Sequence, residues 1–190
     1  MLKWLFGGKA SEAARGEDSV WTNHAARLKG LSREVEALAE ADRTVLVVAL
    51  TWAALDELDA ALATHQPARC ADVFSKDALR TSLSKAGSVA IALSGALSAD
   101  LKPATDAAAD ILVWGRNDAR AADDAIVRFA DALGPNAHIV FHLSLEDPLL
   151  RDFGGQLRPI LEKLGMREDG PIAHAMVTRA IANAQAKRDA

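Results

Sequence analysis

The 190 residues carry 22 lysines and arginines against 26 aspartates and glutamates, a net charge of −4. That balance leaves no electrostatic footprint for nucleic acid, and an apolar fraction of 50% excludes a disordered chain while supplying one core amply. The single cysteine, Cys70, excludes an internal disulfide and fits a reducing compartment.

The chain opens on "MLKWLFGGKAS", whose apolar run is too short for a signal-peptide core, and no later window approaches a membrane span. Leu2, Trp4, Leu5 and Phe6, set beside Lys3 and Lys9, suit either a frayed terminus or small hydrophobic plug on the domain, or weak contact with a membrane surface or a partner. A polar stretch follows from Ala10 to Ser19. Asn23 is placed to cap a helix running to about Ala41, with Leu28, Leu31, Val35 and Leu38 on one face. "TVLVVAL" (Thr44–Leu50) is a continuous, partly β-branched run, as expected of a strand buried on both faces of a parallel sheet. Leu55, Leu58 and Leu62 form the next helical stripe, and "ARCADVF" reads as a second strand. Ser75 opens a helix with Leu79 and Leu83 inward, stopped at Gly87. "SVAIALS" and "ADILVWG" read as the third and fourth strands. A helix with Ile126, Phe129 and Leu133 inward closes at Gly134 and Pro135, and "HIVFHLS" is the fifth strand.

Strands alternating with helices imply a parallel sheet of about five strands with helices on both faces. A C-terminal helical pair is expected beyond it. Asp147 is a suitable N-cap with Pro148 at the first helical position, and Pro171 after Gly170 has the same character.

One stretch is more specific than these periodicities. "FHLSLEDPLLRDFGGQLRPILEKLGMREDGPIAHAMVTRAIANAQAKR" resembles the end of the second nucleotide-binding domain of the SecA preprotein translocase ATPase family. The family has an aromatic-Leu-Ser-Leu/Met-Glu-Asp strand end, a Leu-Gly-Met turn, a Pro-Ile-x-His stretch and an Arg-Ala-Ile-x-Asn-Ala-Gln helix. Upstream, "EDSVWTNHAARLKGLSREVEAL" is similar to that domain's opening and first helix, and Arg116, Arg120 and Asp123 reproduce an Arg-x-x-x-Arg-x-x-Asp spacing. The resemblance covers about residues 17–190 and implies a RecA-like fold. It divides the chain into an apolar-basic segment (1–16), a RecA-like domain (17–147) and a helical extension (148–190).

An ATPase of this class needs a phosphate loop, Gly-x-x-x-x-Gly-Lys-Ser/Thr, which these residues lack. The family's second domain contributes arginines in a Gln-x-x-Gly-Arg-x-Gly-Arg segment. A gapless comparison places Phe129 and Ala132 at those two arginine positions, with Arg128 one residue off, which on a helix is about 100° away. The family's Thr-Asn-Met-Ala-Gly-Arg-Gly-Thr-Asp loop is replaced by "LSGALSAD", where only Asp100 persists. The resemblance therefore implies a stand-alone, degenerate copy without catalytic, cofactor or metal residues.

Other residue types invite weaker readings. His138 and His142 share a strand face but lie about 13 Å apart along it, too far for one metal ion. Cys70 reads as a small buried hydrophobe. Glu146 and Asp147 suit helix capping and the helix dipole, with a paired-acid role as the alternative. Arg116 and Arg120 either pair with Asp123 or Glu146 or hold an anion. Trp52 and Trp114 fall just past strands, at the edge where α/β proteins bind ligands, and either fill core gaps or form a protein-binding edge.

The expectation is a non-catalytic, cytoplasmic binding protein that acts on Sec-dependent export, with SecA or the Sec channel as partner, no nucleic acid, and peripheral contact at the inner membrane. Candidate partner-binding residues are Trp52, Trp114, Arg116 and Arg120. One alternative is a subunit of a composite ATPase completed in trans, with Arg116, Arg120 and Arg128 reaching phosphate. The other is a nucleotide-sensing module.

Overall fold

The computed structural model describes residues 14–98, 101, 108–151, 159, 163, 165 and 170–188. Strand β3 (Thr44–Ala49) lies at the centre of the sheet, buried along its whole length between β5 (Val89–Leu93) and β6 (Ala109–Trp114). Beyond β5 lies β4 (Ala68–Cys70), and beyond β6 lies β7 (Ala137–Ser144). These parallel strands are the five expected from the apolar runs. The far edge holds three more: β1 (Ala14–Arg15) and β2 (Ser19–Trp21), both parallel to β7, and β8 (Ile172–Ala173), antiparallel to β2. The order is β4-β5-β3-β6-β7-β2-β8, with β1 also on β7.

Alternation along β3 divides the core in two. Val45, Val47 and Ala49 pack under α1 (His24–Glu40) and α2 (Trp52–Ala61), through Leu31, Val35, Leu55 and Leu58. Leu46 and Val48 turn to the opposite face, which is covered by α3 (Lys76–Leu83), α4 (Arg120–Leu133) and α6 (Ala175–Arg188). Period-two strands between two helical layers thus give the α/β fold its two cores.

Two local expectations are corrected. Only Ala68–Cys70 of "ARCADVF" pairs as a strand, because the Asp72 carboxylate accepts from the amides of Phe74 and Ser75 and folds the chain into a 3-10 turn. Pro171 does not begin a helix. It leads into β8, and α6 starts at Ala175, where His174 Nδ1 accepts from Met176 N at 3.1 Å. Of the expected C-terminal pair, α5 (Pro148–Arg151) and α6 are described.

Candidate functional site

After β3 the chain leaves through α2 on one face, and after β6 it leaves through α4 on the other. Two neighbouring parallel strands whose exits diverge open a crevice at their C-terminal ends, the usual ligand position in open α/β sheets. Here it is a cleft of about 610 Å³ whose walls include Leu50, Thr51 and Ala53 after β3 and Trp114, Arg116 and Asn117 at and after β6. Gly115, at φ +95°, makes the turn out of β6 and donates its amide to His142 O at 2.8 Å.

The start of α1 forms another wall. Asn23, extended at φ −154°, accepts from Ala26 N at 2.8 Å, while Glu146 Oε2 accepts from His24 N at 2.8 Å. A helix start thus held presents His24 and Arg27, three residues apart, on one face. His24 Nε2 lies 2.6 Å from Glu57 Oε1 on α2. Arg27 Nη2 donates to His24 Nδ1 at 3.0 Å, which leaves Nε2 to face Glu57. Arg27 Nη1 donates to Asp147 Oδ2 at 2.7 Å, and its guanidinium lies 3.9 Å above the Trp114 ring. Burial pushes the Arg27 guanidinium down and the Asp147 carboxyl up, and the ion pair between them offsets part of each shift. A polar chain Glu57–His24–Arg27–Asp147 therefore ties α2 to α1 and to the end of β7.

The structure separates the four expected partner-binding residues. Trp52, first in α2 and 58% exposed, is available at the edge. Trp114 is only 4% exposed and packs in the core under α1 and α2. Arg116 is buried and donates to Asp18 Oδ1 at 2.5 Å and Asp123 Oδ2 at 3.2 Å, its guanidinium 4.0 Å from the Phe141 ring. Arg120 is exposed on α4, 3.9 Å from Asp124, and lines a different cleft beside α6. Leu2, Trp4, Leu5, Phe6 and Asp100 lie outside the described residues.

Glu146 and Asp147 do cap, but not as the sequence suggests. Asp147 offers its backbone carbonyl to Leu150 and Arg151, while its carboxylate turns back to Ser144 N and Arg27. Glu146 caps a helix 122 residues away. Among the described residues no cluster of three metal-ligating side chains occurs. His142 is fully buried; Nδ1 accepts from Trp21 Nε1 at 3.3 Å, and Nε2 lies 3.5 Å from Glu34 Oε2 without a hydrogen bond. Cys70 is buried, and burial pushes its thiol up. Of the family's two arginine positions, Phe129 is 3% exposed in the core under α4, and the neighbouring Arg128 is exposed.

His24, Arg27 and Glu57 were not singled out from the sequence. The His-x-x-Arg spacing at a capped helix start was the available signal, but its partners come from α2 and β7 and are set by the fold.

No family model matches the chain. Over 180 residues, 90% of its length, it is 32% identical to the protein translocase subunit SecA of Desulfotalea psychrophila. The chain is a SecA relative. The likeness takes in 21% of that protein, so the chain spans about a fifth of the SecA it matches. A second match, 42% identical to SecA of Desulforapulum autotrophicum over 78 residues, covers 40% of this chain and 9% of that one. Among solved structures, the C-terminal part of the Fun30 ATPase domain superposes with a TM-score of 0.51 at 13% identity, covering 84% of this chain and 52% of that one. That likeness is of fold alone, and it fits the RecA-like architecture the sequence implied.

Proposed function

We propose that this SecA relative is a non-catalytic binding protein, an accessory or regulator of Sec-dependent protein export, which docks on a protein partner through the sheet edge that carries Trp52. Its kinship with a translocase subunit supports the link to protein transport. The fate of the phosphate-facing positions supports the absence of catalysis. Phe129 stands where the family carries an arginine and is packed into the core. An arginine finger must reach a transferring phosphoryl group, and a position committed to apolar packing has no such reach. Arg116, the strongest remaining cation for an ATPase completed in trans, is held by Asp18 and Asp123.

Trp52 is the feature that favours protein contact. A large aromatic at a helix start, 58% exposed beside a cleft, is the residue type most enriched in interface hot spots. The test is binding of the full chain to purified SecA, its first motor domain and the membrane-embedded Sec channel, with wild type and Trp52→Ala. Binding that weakens by on the order of tenfold or more in the variant supports the reading. Absence of binding to all three would refute the Sec assignment. ATP turnover appearing on mixing with the first motor domain would refute the non-catalytic one.

A further inference from the structure

Among the described residues, three large hydrophobic side chains stand exposed: Trp52, Phe74 and Met176. Two of them share one edge of the sheet. Trp52 follows β3, and Phe74, 92% exposed, lies in the 3-10 turn after β4. Strand β5 runs between these two, so the ends of β3 and β4 lie about 10 Å apart. The turn after β5 (Ser94–Ala96) fills that interval. Leu93 and Leu97 flank it half-buried, and a Cβ added at Gly95 would meet nothing within 4 Å. Helices α2 and α3 leave this edge into opposite layers, so a segment laid across the three strand ends passes both rings.

The charges around the patch are asymmetric. Three ion pairs border it, and each turns its carboxylate outward and keeps its cation against the protein. Asp56, one turn from Trp52 on α2, is 66% exposed against 34% for Arg69. Asp77, three residues from Phe74, is 91% exposed against 45% for Arg80, and Asp118, after β6, is 67% exposed against 30% for Arg188. Arg69 also answers Asp59, so two carboxylates share one guanidinium. Glu57, less exposed than the His24 it faces, adds a carboxylate on the cleft side. Lys76 turns to Ser98 Oγ at 3.3 Å. Among the described residues, neither the Trp52 nor the Phe74 ring meets another ring or a cation. An apolar patch rimmed by carboxylates complements an apolar segment that carries cations, and its rings offer those cations a π face.

We propose that this edge binds a basic, apolar segment of a protein partner. Its apolar side chains lie on Trp52, Phe74 and the turn after β5, and its lysines or arginines face Asp56, Asp77 and Asp118. The inference rests on the reading of the Trp52 edge as a docking surface and names the chemistry of what docks there. The same carboxylates repel an anionic membrane surface, which an apolar patch alone would not.

The experiment follows the Trp52 indole and Phe74 backbone resonances of the full chain, labelled with nitrogen-15. Three peptides of about 15 residues, long enough to form a helix, are titrated. One carries leucine and lysine on opposite faces, one replaces every lysine with glutamate, and one replaces every leucine with serine. Saturable shifts at both residues with the leucine–lysine peptide are expected, at a Kd on the order of 0.1 mM, with the other two weaker by about tenfold or more. Phe74→Ala should weaken that peptide by on the order of tenfold. Asp56→Asn combined with Asp77→Asn should weaken it by about threefold and flatten its salt dependence. Equal binding of the glutamate or the serine peptide, or no shift at Trp52 and Phe74, would overturn the proposal. So would larger shifts with vesicles of phosphatidylcholine and phosphatidylglycerol in equal parts, which would assign the edge to a membrane. Peptide binding without binding of any Sec protein keeps this surface and removes the Sec assignment. Sec binding that is lost in Trp52→Ala, without discrimination among the peptides, does the reverse.

Discussion

Gly30 sits inside α1 against the indole of Trp21, and replacing it with alanine sets two effects in opposition. In an open helix, Gly→Ala gains about 1 kcal/mol from backbone entropy. Here a Cβ would fall within the van der Waals envelope of Cη2, Cζ2 and Cζ3 of Trp21. The ring is 5% exposed and fixed at its other end, because Nε1 donates to buried His142 Nδ1 at 3.3 Å. Relief must come from displacing the indole. Overpacking costs about 1–3 kcal/mol, and a buried acceptor left without its donor adds about 1–3 kcal/mol. The net expectation is a loss of about 2 kcal/mol, or roughly 4–8 °C in Tm for a chain of this size. Urea unfolding of wild type, Gly30→Ala, Trp21→Leu and the double variant measures it, with a coupling of about 1 kcal/mol or more between the two sites. A Gly30→Ala protein more stable than wild type by about 1 kcal/mol would show that propensity wins and that the indole is not held.

Further outcomes follow from the buried charges. Burial first, and then the charge of Arg27, lowers the His142 pKa to about 4, below its ordinary value, so the folded state resists protonation. Stability from this residue is complete above about pH 6.5 and falls as the pH drops towards 4, by up to about 3 kcal/mol. Burial raises the carboxyls of Glu34 and Asp147 and acts in the opposite direction, so the check is that the fall between pH 6.5 and 4.5 flattens in His142→Phe. Arg116→Met should destabilise by about 3–5 kcal/mol, because it strands Asp18 and Asp123 in the interior; a loss under about 1 kcal/mol in thermal unfolding would contradict the pairing. Trp52→Ala should shift stability by no more than about 0.5 kcal/mol, so any binding it loses is not a folding defect. Phe129→Arg, which restores the family residue, should destabilise by several kcal/mol because it places a charge in the apolar core.

The central strands were legible because β3, β5, β6 and β7 are buried on both faces, which forces continuous apolar runs that no loop would carry. β2 and β8 were not. Two or three residues have no periodicity to read, and Ser19–Trp21 is extended because His142–Ser144 and Ile172–Ala173 lie on either side of it. The same holds for the site. Trp114 and Arg116 stood out by type and position, but their burial depends on Arg27, Asp18 and Asp123, which arrive from other elements. Asp147 shows the limit most plainly: its place before Pro148 suggests a side-chain cap, and a buried arginine 120 residues away claims the carboxylate instead.

The sandwiching of β2 between β7 and β8 also sets an order of events during synthesis. Trp21 bonds to a residue made 121 positions later, and Asp18 N donates to Thr178 Oγ1, 160 positions later. At about 5–20 residues per second, β2 waits roughly 6–25 s for β7. Throughout that interval Val20 and Trp21 have no sheet to join. Trp21 can lean on α1, which follows at once, but Val20 stays uncovered until β7 and then α6 arrive, which gives a chaperone something to hold at this edge.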